Sequence, residues 1–146
     1  MARTPRVASS GVAAHGIHHL GVAVTDLDAA VQTYERLFGA TVEARAEVVD
    51  QGVEIALLRV GGAQVELLAA LGPETPVGRF LAKRGPGMHH VAFEVEDVAA
   101  ELDRLAAAGT QLIDERPRRG FGGLEVAFVH PDSTGGVLAE LVRDER

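Results

Sequence analysis

Two periodicities take turns along the chain. Over 17–24 the residues alternate between bulky apolar and smaller or polar types, the two-residue period of a half-buried strand. Ala30, Val31, Tyr34, Leu37 and Phe38 then fall at the spacing of one helical face. Thr25 or Asp26 stands ahead of them as a good N-cap, and Gly39 follows as a good terminator. Strand character returns over 42–49, 53–60 and 64–69, broken by Asp50-Gln51-Gly52 and Gly61-Gly62 turns. The same order then runs again: a strand over 88–95, a helix over 98–108 closed by Gly109, and strands over 111–114, 124–129 and 136–142. Segment 71–86 holds Pro73, Pro76 and Pro86 around a short helical stretch, 77–82, and reads as a connection between the two runs.

The second run copies the first. Ile17-His18-His19-Leu20-Gly21-Val22-Ala23-Val24 recurs as Met88-His89-His90-Val91-Ala92-Phe93-Glu94-Val95, an offset of 71 (88 − 17). Val53-Glu54-Ile55-Ala56 recurs as Leu124-Glu125-Val126-Ala127 at the same offset (124 − 53), and Val65-Glu66-Leu67 as Ala139-Glu140-Leu141 at 74 (139 − 65). A repeat of this kind sets the fold class before anything else does. It predicts an α+β protein of two tandem βαβββ modules, about 17–70 and 87–143, forming a mixed, curved sheet around a cleft with the helices outside. Neither half can bury its sheet alone, so 17–146 is expected as one domain, with 1–16 a disordered N-terminal extension.

Composition narrows the function classes. At 146 residues, 47% hydrophobic and 24% charged, the chain has the make-up of one soluble globular domain. Twenty-one acidic against 14 basic side chains leave a net charge of −7, which offers no field to draw in nucleic acid. There is no cysteine, so disulfides and thiolate metal sites are excluded, and a reducing cytoplasm is the expected compartment. No apolar run is long enough to span a bilayer, and 1–16 lacks the apolar centre of a signal peptide.

The candidate chemistry sits on the repeat. In an alternating strand His18 shares a face with Leu20, Val22 and Val24, and His89 with Val91, Phe93 and Val95: bulky faces suited to packing under the helices. The opposite faces carry His19 with Gly21 and Ala23, and His90 with Ala92, where small residues leave room for a cavity. His19 and His90 are therefore the expected site residues, and His18 and His89 the packed ones. Duplication adds Glu66 and Glu140, one on the last strand of each module. A lone strand histidine is more often a satisfied core group. Four such residues recurring in apolar strands, where an unpaired carboxylate is costly, point instead to a divalent metal site.

With those residues in place, the chain from 17 to 142 resembles the methylmalonyl-CoA epimerase family of the vicinal oxygen chelate (glyoxalase/dioxygenase) superfamily. The segments that carry the likeness are Gly87-Met88-His89-His90, the run from His130-Pro131-Asp132 through Gly135-Gly136 to Glu140-Leu141, and Val65-Glu66-Leu67-Leu68 with Phe80-Leu81. The resemblance implies metal ligation by His19, Glu66, His90 and Glu140, with Co²⁺ favoured over Ni²⁺, Mn²⁺ or Zn²⁺. It implies proton transfer at C2 of methylmalonyl-CoA by Glu54, which follows the Gln51-Gly52-Val53 turn, and by Glu140. It also implies a homodimer. Glu125, the repeat partner of Glu54, is expected to be structural. Arg116, Arg118 and Arg119, beside Gly120-Phe121-Gly122-Gly123, form the densest basic cluster and are the candidate contacts for coenzyme A phosphates; Lys83 and Arg84 are weaker ones. The nearest rival is a glyoxalase I-type lactoylglutathione lyase, for which Ala23 and Val24 stand where a glutathione-binding arginine is wanted. Metal-free binding proteins of this fold generally lose the ligands kept here. Extradiol dioxygenases use two histidines and one glutamate with iron, and are usually longer.

Overall fold

The computed structural model describes residues 14–145. Eight strands form a single sheet: β1 (Gly16–Ala23), β2 (Thr41–Val48), β3 (Val53–Val60), β4 (Ala63–Ala70), β5 (Gly87–Glu94), β6 (Arg118–Arg119), β7 (Glu125–Val129) and β8 (Ala139–Arg143). Three helices accompany them: α1 (Leu27–Phe38), α2 (Pro76–Arg84) and α3 (Val98–Ala107). The strand order is β2-β3-β4-β1-β5-β8-β7-β6, so each module contributes one half and the halves meet where β1 pairs antiparallel with β5. On either side of that seam the pairing is parallel, β1 with β4 and β5 with β8. The tandem βαβββ expectation is met.

Local chemistry explains the boundaries. The Asp26 side chain accepts from Ala29 N–H at 3.0 Å, and Gly39 ends α1 at φ 66°, a left-handed conformation that glycine adopts without a steric penalty. Asp97 caps α3 in the same way. Helix α1 covers one core built on Val31, Ala56, Leu58 and Leu67; α3 covers its counterpart on Leu102, Ala127 and Leu141. Helix α2 lies on the other side of the first half, against Val53, Ile55 and Leu68. This alternation in β3 decides where its carboxylate goes, as the site shows.

Four expectations change. Residues 111–114 do not form a strand and make only the isolated bridge of Leu112 with Val129. Ile113 and Asp114 N–H both donate to one carbonyl, Phe128 O, while the Asp114 carboxylate accepts from Phe128 N–H at 2.8 Å, so a side chain takes the place of a strand partner. Of the extension 1–16, residues 1–13 lie outside the described ones; His15 N–H already donates to Glu94 O at 2.7 Å, and Gly16 opens β1. The helical stretch expected over 77–82 is longer, with Pro76 at its first turn and Thr75 as N-cap.

The fourth change concerns the histidine doublets. Across the β1–β5 seam Ile17 pairs with Phe93 and His19 with Ala92, while Gly21 pairs with His90 and Val22 with Met88. His18 and His89 are each the additional residue of a β-bulge. A bulge interrupts the alternation of faces. His18 and His89 are therefore not simply packed under the helices: each ring is turned against the neighbouring histidine, Nδ1 to Nδ1, at 2.8 Å in the first doublet and 2.9 Å in the second.

Candidate active site and metal centre

Two rows of three residues cross the four central strands. Register places Glu66, Gly21 and His90 side by side on β4, β1 and β5, and His19, Ala92 and Glu140 side by side on β1, β5 and β8. In each row a histidine and a carboxylate flank a small residue. The middle position has to be small: a Cβ on Gly21 would lie 2.1 Å from His90 Cε1. All four functional side chains are buried, and donor atoms of His19, His90 and Glu140 lie within 4.8 Å of one another. His19 Nε2 is 3.3 Å from Glu66 Oε2, 3.1 Å from Glu140 Oε1 and 3.1 Å from His90 Nε2. The structure thus brings together His19, Glu66, His90 and Glu140.

The electrostatics of this cluster suit a cation. Burial pushes the Glu66 carboxyl up to about 7, with His19 opposing the shift and Glu140 adding to it. Burial likewise raises Glu140, to about 8, against the pull of His18 and Arg118. Burial lowers His19, and holds His90 well below the usual imidazole range with His19 and His89 beside it. Neutral imidazoles are the form that binds metal, and raised carboxyls are groups whose ionisation a cation would favour. Glu140 Oε1 is buried without a hydrogen-bond partner, although His19 Nε2 is close. Both histidines have Nδ1 occupied by a neighbouring ring, which turns both Nε2 atoms to one point. The donors of His19, His90 and Glu140 fit a borderline divalent metal ion, and the Glu66 carboxylate stands beside them, 3.3 Å from His19 Nε2.

Glu54 is not brought to the cluster. It pairs across the sheet with Ala69, on the face that α1 covers, and its carboxylate meets Arg45 at 3.4 Å, which also bridges Asp28 of α1. In β3 the side chains directed to the cleft side are Val53 and Ile55. Both faces of this strand are apolar, so the alternation visible in the sequence did not reveal which face meets the site.

The arginine cluster divides. Arg116 is exposed. Arg119 donates to Gly123 O at 3.0 Å and lines a cavity of about 510 Å³ with Glu125 and Glu145. Arg118 is held by Asp114 at 2.8 Å, lies 5.6 Å from the centre of the Phe128 ring, and reaches a cavity of about 160 Å³ whose wall includes Asp50, Gln51, His89 and His90. That space shares His89, His90, Ile113 and Leu138 with a larger one of about 650 Å³ bordered by Arg79, Lys83 and Arg84 of α2. His89, whose pKa burial lowers to about 4, lines both and packs edge-on against Phe80, with ring centres 5.0 Å apart. The sequence did not single out His18 and His89, which stand behind His19 and His90, or Asp50, which lines the smaller cavity. Only the doubling of histidine in each copy hinted at the first two.

A superfamily emerges first. The profile of the Glyoxalase/Bleomycin resistance protein/Dioxygenase superfamily matches residues 18–128. The ethylmalonyl-CoA/methylmalonyl-CoA epimerase of Cereibacter sphaeroides is 38% identical over 127 residues, 86% of this chain and 95% of that one. The crystal structure of methylmalonyl-CoA epimerase from Mycobacterium tuberculosis superposes with a TM-score of 0.87 at 39% identity, covering 91% of this chain and 90% of its own. A variant of the Streptomyces coelicolor enzyme in complex with 2-nitronate-propionyl-CoA gives 0.88 at 35%, covering 91% and 96%. The chain belongs to the methylmalonyl-CoA epimerase family of this superfamily.

Proposed function

We propose that the chain is a metal-dependent methylmalonyl-CoA epimerase that interconverts the C2 epimers of its substrate. The observation that carries the reading is the pair of rows across the seam, which sets two neutral histidines and two buried carboxylates around one point in a chain of this family. His19, Glu66, His90 and Glu140 would hold the ion, and Co²⁺ is the favoured metal. When bound there, it supplies Lewis acidity against the negative charge that develops on the substrate oxygens as C2 loses its proton.

The side chains divide the remaining tasks. C2 lies between a carboxylate and a thioester, so its proton is acidic enough for a carboxylate base, which typically contributes about 10²–10⁴-fold. Glu140, with an Oε1 free of hydrogen bonds, exchanges that proton on one face. Glu54, the second base expected from the resemblance, points to α1; Asp50 is the carboxylate lining the small cavity and takes the second role. His89, kept neutral, serves as a hydrogen-bonding wall. Arg118, which lines the small cavity, would meet the acyl carboxylate, and the coenzyme A arm would leave through the larger cavity, past Arg79, Lys83 and Arg84. Exposed Leu37, Phe38 and Val42 support a homodimer, to be checked by sedimentation. Among the described residues no helix is long and apolar enough to cross a membrane, and the cysteine-free sequence fits work in the cytoplasm.

The deciding experiment is deuterium uptake at C2 of methylmalonyl-CoA in D₂O, with protein as purified, after chelation and after Co²⁺ is restored. Metal-dependent uptake, reduced in Glu140→Gln and Asp50→Asn, supports the reading. No uptake with any divalent metal overturns it and moves the glutathione hemithioacetal to the front.

A further inference from the structure

The two histidine doublets share the Nδ1-to-Nδ1 contact but end differently. In the second, the His89 ring faces the cavities and Phe80. In the first, His18 Nε2 lies 2.7 Å from Asp144 Oδ2, just beyond β8 on the neighbouring module, and His18 Nδ1 lies 2.8 Å from His19 Nδ1. His18 is buried, as is His19.

Hydrogen-bond direction follows from what each atom can do. An ionised carboxylate only accepts, so the proton of His18 sits on Nε2 and its Nδ1 presents a lone pair. His19 then donates from Nδ1, and the lone pair of its Nε2 is left facing Glu66, His90 and Glu140. We propose that Asp144 and His18 are positioning residues: a carboxylate–histidine–histidine relay that holds His19 in the Nδ1–H tautomer and so keeps its Nε2 open to the metal ion. A carboxylate commonly orients a metal-bound histidine directly; here one more imidazole is interposed, and the carboxylate comes from the other half of the repeat. Reversed, with His18 donating to His19, the same contacts would put the His19 proton on Nε2 and close the ligand position.

The inference rests on the metal-site reading and not on the substrate, so its test avoids turnover. Nitrogen NMR of ¹⁵N-histidine-labelled wild-type protein, free of metal, is expected to show His19 protonated at Nδ1 and bare at Nε2. Asp144, whose side chain is 21% exposed, can be changed without opening the core. Asp144→Asn and His18→Leu are expected to weaken Co²⁺ binding about 10–100-fold, and His18→Asn, which restores an acceptor near His19 Nδ1, to recover part of the loss. A His19 proton found on Nε2, or Co²⁺ affinity within about twofold of wild type in both weakening variants, overturns the relay. Co²⁺ binding of the expected strength without deuterium exchange at C2 leaves the relay standing and removes the epimerase reading instead.

Discussion

The two modules are near-copies in sequence and unequal in what surrounds their ligands. In the first, His19 is backed by buried His18 and, beyond it, by half-buried Asp144, and the middle of the opposing row is a glycine. In the second, His90 is backed by His89, whose ring faces the cavities, and the middle of its partner row is Ala92. The same repeat therefore makes a closed side, which on the proposed reading would position a metal ion, and an open side, which would meet substrate. Duplication supplied the symmetry of the four donors. Divergence of their neighbours supplied direction.

The largest test of that asymmetry is at the middle of the rows. Gly21→Ala would put a methyl carbon where 2.1 Å separates it from the His90 ring, so His90 has to move and the divalent ion loses a ligand. Loss of Lewis acid stabilisation worth several kcal/mol is expected to cost about 10²–10³-fold in C2 exchange, with Co²⁺ affinity falling in parallel by calorimetry. Ala92→Gly, the mirror change, removes a methyl and leaves the ligand geometry in place. It is expected to cost some stability and little exchange. Equal effects of the two would break the comparison.

A middle-sized effect separates the two carboxylates. Both carboxyls are raised from an ordinary 4.5, to about 7 for Glu66 and about 8 for Glu140. For groups raised in this way, the stabilising contribution in metal-free protein is complete below about 4.5 and is lost as pH rises through 7 and 8. Glu140→Gln is accordingly expected to raise the melting temperature of metal-free protein at pH 8 by a few degrees, more than Glu66→Gln, and to leave it unchanged at pH 4. Both variants should lose the stabilisation that added Co²⁺ gives wild type, about 2.7 kcal/mol at a hundredfold excess over Kd. Thermal denaturation across pH, with and without metal, reads both; a rise at pH 4 as large as that at pH 8 would contradict the burial account.

The smallest effect concerns the coenzyme arm. Lys83→Ala with Arg84→Ala is expected to raise KM for the full coenzyme A thioester several-fold and to leave kcat alone, since the change touches binding and not the reacting carbon. The same pair should not alter KM for a short thioester lacking the nucleotide. Arg116→Ala should alter neither. A KM effect at Arg116 equal to that at α2 would return the phosphates to the arginine-rich loop.

Much of this was legible in the sequence. The repeat offset alone located both modules, and small residues beside His19 and His90 distinguished them from their neighbours as the residues that meet Glu66 and Glu140. Legibility ended where strand registers had to be known. A bulge costs one unpaired residue and leaves no mark in composition, so the alternating pattern put His18 and His89 under the helices when both turn against His19 and His90. That Glu54 lies on the α1 side was not legible, because β3 is apolar on both faces and alternation cannot say which one a helix will cover. The strand expected over 111–114 failed because the Asp114 side chain competes for the backbone of Phe128.

By itself, then, the sequence determined the two-module fold, the solvent-compatible acidic surface and the four donor types, because each depends on local periodicity or on residue identity repeated at a constant interval. Tertiary structure decided which donors meet, which side chains stand behind them and which face is open. Those outcomes depend on contacts between residues far apart in the chain, such as His18 with Asp144 and Gly21 with His90. Register and close packing set such contacts, and neither is written in the spacing of any one segment.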